Sequence, residues 1–468
     1  MERFSIRLLV ALLLTPTLLV KHATSQGSTP GQPVRVLTLG SAPNPKEAPP
    51  AAARNDSPDI LLLVVDDVGW PDLDSVPTPN IDGLGRMGIQ YERFYSMPSC
   101  SPTRYELLFG RYGRRDGIGR IITSYLPPAP DNPTPHHELV SLPKLAKARG
   151  YQTAMIGKWH LGLDYLGSTL EISPHLHGFD AFRAGTMSNL GSGGGSGYYD
   201  WFRIDDGYSD FTTEYATAAQ RDASIDWWNQ TEGSRLMVVS FSAPHGPYQA
   251  PPPEMLPPDW PTPTNNRERF EAMIIAVDTS IGQIMENVDL NETLVFFVSD
   301  NGTPRGVALG DSGGGGGVLD PLGRYKNTTY EGGIRVPMIV AGPGVVRGKR
   351  CRNLVNATDV VRTIGDVLGI GKFQSGAEDS MSFAPSFRAP KRPGKREWIF
   401  AEQYDETNDD RAIVMERYKL RIFNNRRTIF DLEEDPGEAH GIGLNDPRYP
   451  ELLSTLQNIL LNELPPRE

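Results

Sequence analysis

The chain predicts an α/β fold: a large mixed, mostly parallel sheet between helices, with a smaller C-terminal α+β domain. Three observations carry this. Unbroken apolar runs recur along the chain, helical patterns lie between them, and the texture changes after about Arg388. Continuous rather than alternating hydrophobicity suits strands buried on both faces of a parallel sheet. Strands alternating with helices are the pattern of layered α/β folds.

Taken in order, Met1–Ser25 reads as a secretory signal peptide: Arg3 and Arg7 precede the apolar run Leu8–Val20, and Ala23-Thr24-Ser25 offers a small-residue cleavage site. The run is short for a membrane span, so the expectation is export without a stable membrane anchor: secreted, periplasmic or lysosomal according to the source. Residues 26–58, rich in Pro, Ala, Ser and Gly, read as a flexible spacer. The main domain is expected over 59–388. Its first strand is Ile60–Val65, closing on Asp66-Asp67; later ones are Met237–Phe241, Leu294–Val298 (closing on Asp300-Asn301-Gly302) and Val336–Val340. Helical patterns cover Leu142–Arg149, Thr213–Trp228 and Arg267–Val288. The glycine tracts Gly191–Gly197 and Gly313–Gly317 lack the order of a phosphate-binding loop and are expected to be mobile loops near a ligand entrance. In 389–468, short runs at Trp398–Glu402, Ala412–Met415, Lys419–Phe423 and Thr428–Leu432 predict an antiparallel sheet, and Pro450–Leu464 a closing helix.

A net charge of −11 argues against a dedicated nucleic-acid binder. Two cysteines, Cys100 and Cys351, exclude a disulfide-rich scaffold and a four-cysteine zinc site. Ligands of open parallel sheets bind at the carboxyl edges of the strands, where Asp66, Asp67, Asp300 and Asn301 would converge. An oxygen-only, strongly negative set suits calcium or magnesium better than zinc, although Asp and Asn also cap loops routinely. In Cys100-Ser101-Pro102-Thr103-Arg104, Pro102 is placed for the first turn of a helix. Cys100 would sit at the positive end of that helix, with Arg104 one turn on. By itself this reads either as a cysteine nucleophile facing an anion or as a small buried side chain.

This segment, continued by Leu107 and Gly110-Arg111, resembles the first signature of the sulfatase family, C-x-P-x-R-x-x-L-x-x-G-R. Gly150-Tyr151-Gln152-Thr153 with Gly157-Lys158-Trp159-His160-Leu161-Gly162 resembles the second. Further landmarks follow in family order: Asp66-Asp67, Ala243-Pro244-His245, Asp300-Asn301-Gly302, Lys326 before Tyr330-Glu331-Gly332-Gly333, and the tail Phe430–Glu438. The resemblance runs from about Asp59 to Glu438 and implies a sulfatase of the alkaline phosphatase superfamily.

It further implies that Cys100 is converted to formylglycine (3-oxoalanine) by a formylglycine-generating enzyme, and that the hydrated aldehyde is the nucleophile. One calcium ion would be held by Asp66, Asp67, Asp300, Asn301 and the residue at Cys100. Arg104 and Lys158 would stabilise the hydrated aldehyde and the anion, and His245 and Lys326 would hold sulfate and protonate the leaving oxygen. His160 would deprotonate the second hydroxyl and so expel sulfate. The substrate would be a sulfated small molecule or glycan. Two other readings share these residues: a phosphoester or phosphonate monoester hydrolase on the same scaffold, and a non-catalytic carbohydrate-binding relative.

Overall fold

The computed structural model describes residues 57–122, 134–162, 172–191, 195–308, 324–371, 376–404, 407–462 and 464. The expected signal peptide, nearly all of the spacer, the tract Gly313–Gly317 and the middle of Gly191–Gly197 lie outside them.

The fold is built on a ten-stranded sheet. Its parallel centre runs β9 (Thr293–Ser299), β1 (Asp59–Val65), β8 (Arg235–Ser240), β4 (Gln152–Lys158) and β5 (Ala181–Thr186). Beyond β9 come β10 (Met338–Ala341), β2 (Gly88–Tyr91) and β11 (Lys349–Cys351), with β10 antiparallel to both neighbours. Beyond β5 lie β6 (Trp201–Asp205) and β7 (Tyr208–Thr212), both antiparallel. A two-stranded ladder pairs β3 (Phe94–Tyr95) with β12 (Val355–Asn356).

The unbroken apolar runs are explained by burial on both faces. On β1, Ile60, Leu62 and Val64 join one core cluster while Leu61, Leu63 and Val65 join another. Strand β9 divides likewise, with Leu294, Phe296 and Val298 on one side and Val295 and Phe297 on the other. Successive side chains of a strand point to opposite faces, so a strand with two dry faces has no position for a polar residue.

Helices supply both covers. α1 (Trp70–Ser75) and α2 (Pro79–Met87) precede β2, and α3 (Cys100–Phe109) and α4 (Leu142–Lys147) precede β4. The short α5 (Ser173–Leu176) precedes β5; α6 (Ala216–Gln230) and α7 (Asn266–Met285) flank β8. α8 (Glu331–Ile334), α9 (Asp359–Val367) and α10 (Tyr449–Asn462) complete the set. Side chains of α3, α4 and α9 fill one cluster, and those of α2, α6 and α7 the other. Among the described residues no helix is long and apolar enough to cross a membrane.

The C-terminal part is a four-stranded antiparallel meander: β13 (Ile399–Tyr404), β14 (Asp409–Val414), β15 (Tyr418–Phe423) and β16 (Arg426–Asp431). α10 sets Leu456 and Ile459 into its core. Buried polar links tie this sheet to the segment after Lys326. Lys419 on β15 pairs with Glu331 at 3.2 Å and Glu438 at 2.8 Å, and Asp410 on β14 accepts from the Thr329 hydroxyl at 2.7 Å.

One element departs from the sequence reading. The sequence reading places no strand between Gly197 and the helical pattern at Thr213, yet β6 and β7 form a hairpin across Asp206-Gly207, whose φ values are 47° and 89°. Two central residues at positive φ are the requirement of the tight hairpin turn, so the Asp-Gly pair was a usable signal.

Candidate active site

Four parallel strands deliver the site from their carboxyl ends: β1 ends before Asp66, β9 before Asp300, β4 at Lys158, and β8 shortly before His245. Cys100 comes instead from the first position of α3. Ser99 is extended at φ −148°, and the helix then runs ten residues, all buried, to Gly110. Pro102 costs this helix nothing, because first-turn N–H groups have no intrahelical acceptor. Gly110 ends it at φ 66°, donating to the Glu106 carbonyl at 2.9 Å, and a Cβ there would come within 2.8 Å of Ala377.

Cys100 Sγ lies 3.5 Å from Asp66 Oδ1 and accepts from Lys326 Nζ at 3.3 Å. Lys326 also donates to Asp67 Oδ1, which accepts from Asn301 Nδ2 at 2.5 Å as well. The Asp67 backbone N–H donates to Asp300 Oδ1 at 3.1 Å. Arg104 reaches Asp300 Oδ2 through Nε at 3.0 Å and Nη2 at 2.8 Å, and Asp66 Oδ2 at 3.3 Å. Lys158 Nζ donates to Asp66 Oδ2. His245 Nε2 stands 3.8 Å from Asp67 Oδ2. Its Nδ1 is 2.7 Å from the Gly246 carbonyl, which can only accept, so the proton sits on Nδ1 and Nε2 faces the site with a lone pair.

The predicted residues are thus brought together, His160 least directly. No ring hydrogen bond ties it to the others, and its Nδ1 is buried without a partner. Two residues that sequence reasoning passed over complete the network: Asn189 accepts from Lys158 Nζ at 2.6 Å, and the Ser240 hydroxyl accepts from Arg104. Ser240 is the last residue of β8 and the one before last of the predicted strand Met237–Phe241, so the strand-end rule could have found it. Asn189 lies in a loop and carried no such signal. His177 packs elsewhere, between Trp159 (5.6 Å) and Phe109 (5.2 Å), as an interior aromatic.

Three carboxylates (Asp66, Asp67, Asp300) face three cations (Arg104, Lys158, Lys326), all at most 9% exposed. Burial works to raise the Asp66 carboxyl, but Lys158, His245, Arg104 and Lys326 overcome it and hold Asp66 well below the usual range. Asp67 goes the other way, pushed to about 6 by burial against the opposing pull of Lys326. Burial raises Asp300 and the Cys100 thiol, so Cys100 as encoded is a poor thiolate. Burial, then Lys326 and Lys158, depress His245 to about 3; burial, then Lys158 and Arg104, hold His160 well below its ordinary value. Both imidazoles are neutral here.

A divalent cation fits this donor set. Asp67 Oδ2 and Asn301 Oδ1 are buried with no hydrogen-bond partner, a costly state unless an ion takes the lone pairs. Ligand atoms of Asp66, Asp67, Cys100 and His245 lie within 4.8 Å of one another. Oxygen donors dominate, as a hard cation requires. Such an ion would turn a balanced set of charges positive, in keeping with an anionic substrate.

A Sulfatase family model matches residues 58–370, and a model described as N-sulphoglucosamine sulphohydrolase, C-terminal, matches 324–464. Human N-acetylgalactosamine-6-sulfatase is 27% identical, over 88% of this chain and 86% of its own. Bovine arylsulfatase A is 27% identical over 86% and 87%. The crystal structure of Ps i-CgsB in complex with k-i-k-neocarrahexaose superposes with a TM-score of 0.73 at 25% identity, covering 86% of this chain and 92% of that one.

Proposed function

This chain belongs to the sulfatase family and is a sulfuric ester hydrolase; from that premise we propose that it removes sulfate from sulfated carbohydrate, using formylglycine made from Cys100 and a calcium ion. The observation that carries the reading is the placement of Cys100 between Lys326 Nζ and Asp66, beside the two unpartnered oxygens of Asp67 and Asn301. Relatives named N-acetylgalactosamine-6-sulfatase and a neighbour solved in complex with k-i-k-neocarrahexaose support a carbohydrate substrate.

Asp66, Asp67, Asp300 and Asn301 would hold the calcium ion, with the residue at Cys100 completing the set. Bound there, the ion supplies Lewis-acid polarisation of the sulfate ester and lowers the pKa of the hydrated aldehyde. The chain's own residues do the rest. Arg104 and Lys158 both bond Asp66 Oδ2 and keep the carboxylate ionised, so it is a preorganised anion rather than a proton store, with Oδ1 left to face Cys100. Lys326, which stays charged because Asp67 and the other acidic groups around it together overcome its burial, presents its ammonium to the position of Cys100 Sγ and to any oxyanion arriving there. His245 carries a free Nε2 lone pair. An anionic substrate beside it favours the protonated ring, so His245 would take up a proton with substrate and return it to the leaving oxygen. His160, neutral and with Nδ1 unpartnered, is suited to accept a proton as sulfate departs.

The test is the mass of the tryptic peptide Phe94–Arg104 from protein purified from its native source, together with rates on matched aryl sulfate and aryl phosphate. We expect the aldehyde or its hydrate at position 100, a preference for sulfate, and loss of turnover in Cys100→Ala with the fold kept. An unmodified cysteine in active enzyme, or equal rates on phosphate, overturns the reading.

A further inference from the structure

The segment that sends Lys326 inward to Asp67 gives its two neighbours, Tyr325 and Asn327, to the wall of a separate groove of about 650 Å³. Small-ligand sites fall in the range of roughly 300–1,000 Å³. Arg305, four residues past Asn301, lines the same groove, and the antiparallel sheet supplies the facing wall with Gln403, Arg421 and Phe423. The groove therefore shares the Lys326 segment with the catalytic centre without using the Lys326 side chain, and takes Arg305 from the loop that follows Asp300-Asn301.

Its lining is chemically specific. The Arg305 guanidinium lies 5.7 Å from the Tyr325 ring centroid, exposed, and no carboxylate among the described residues pairs with it. Arg421 lies 4.0 Å from the Tyr330 centroid and 5.0 Å from that of Phe423, and is balanced by Asp410 at 2.7 Å. Among the described residues the groove thus keeps a positive excess on a chain of net charge −11. Gln403 Nε2 reaches Asn327 Oδ1 at 3.5 Å, while Gln403 Oε1 has no partner among the described residues. Phe423 is 38% exposed.

We propose that this groove is a second sugar subsite, which holds a neighbouring, itself sulfated, residue of the oligosaccharide whose scissile sulfate sits at Cys100. The amides match sugar hydroxyls, the exposed Phe423 ring matches the apolar face of a pyranose ring, and Arg305 offers a planar fork to a sulfate or carboxylate. Neither an apolar ligand nor a neutral monosaccharide would use this combination. The inference rests on the sulfatase reading for the placement of the scissile group, and it makes the enzyme read more than one residue of a chain.

Binding separates the two claims. Full-length Cys100→Ala protein in calcium is titrated with hexasaccharides of chondroitin sulfate, heparin and carrageenan, and with N-acetylgalactosamine 6-sulfate. Arg305→Ala and Phe423→Ala are added singly; both side chains are exposed, so the fold should tolerate their loss. We expect at least one hexasaccharide to bind more tightly than the monosaccharide, and each substitution to weaken that hexasaccharide by about tenfold, the scale of one charge-assisted contact, while leaving the monosaccharide unchanged. Failure of all three hexasaccharides to bind better than the monosaccharide overturns the subsite, as does an unchanged affinity in both variants or an equal loss for hexasaccharide and monosaccharide. Failure of the sulfatase reading registers elsewhere, as absent turnover of aryl sulfate by protein that carries the aldehyde.

Discussion

Asp67 and His160 both hold left-handed backbone, at φ 75° and 56°, a region that non-glycine residues enter at a cost and that recurs at functional sites. Each stands just past the end of a central strand, where the chain turns out of the sheet and the side chain turns into the site. The strand-end carboxylates were legible in the sequence because an unbroken apolar run stops abruptly at charge. The strained backbone was not legible, since neither Asp nor His announces its φ. The same holds for Asn189, whose role follows from where the Lys158 ammonium happens to end. At this scale the sharpest test is His245. Its Nε2 lone pair predicts that His245→Ala slows sulfates with poor leaving groups by about 10²–10⁴ while affecting activated aryl sulfates far less. Steady-state rates across a series of leaving groups decide this, and an equal loss throughout the series rejects the acid role.

The central strands were readable as elements for the reason that makes them stable: β1, β8 and β9 are dry on both faces, so their composition admits almost no ambiguity. Edge elements were harder. Strand β7 is exposed along most of its length, with Tyr208 83% and Phe211 51% exposed, and a strand with no buried face leaves no alternation to detect. The antiparallel meander was found because each short run keeps one buried face. This contrast predicts unequal tolerance. Phe296→Ala, in the middle of β9 and fully buried, should destabilise by about 3–5 kcal/mol, whereas Phe211→Ala should cost under about 1 kcal/mol. Denaturant unfolding of both variants checks the difference, and similar losses would contradict the assignment of β9 to the core.

For the whole molecule, pH acts through buried groups away from the chemistry. His177, wedged between Trp159 and Phe109, is lowered by burial to about 4. The unfolded chain binds this proton near 6.5 and the folded chain only near 4, so its contribution is whole above 6.5 and is lost as pH falls toward 4. At pH 5 the loss is about 2 kcal/mol. His177→Phe should therefore flatten the acid side of the Tm profile between pH 7 and pH 5; an unchanged slope would show that other groups set it. The burial of α3 has a different consequence, one for the order of events in the life of the chain. Every residue of that helix is enclosed, and Cys100 has no exposed surface. An enzyme that must grip the segment around Cys100 to rewrite its side chain cannot reach it once the helix has docked. On the proposed conversion of Cys100, the window for maturation would therefore close with folding, and a molecule that folded before it was modified would stay inert however well it was made.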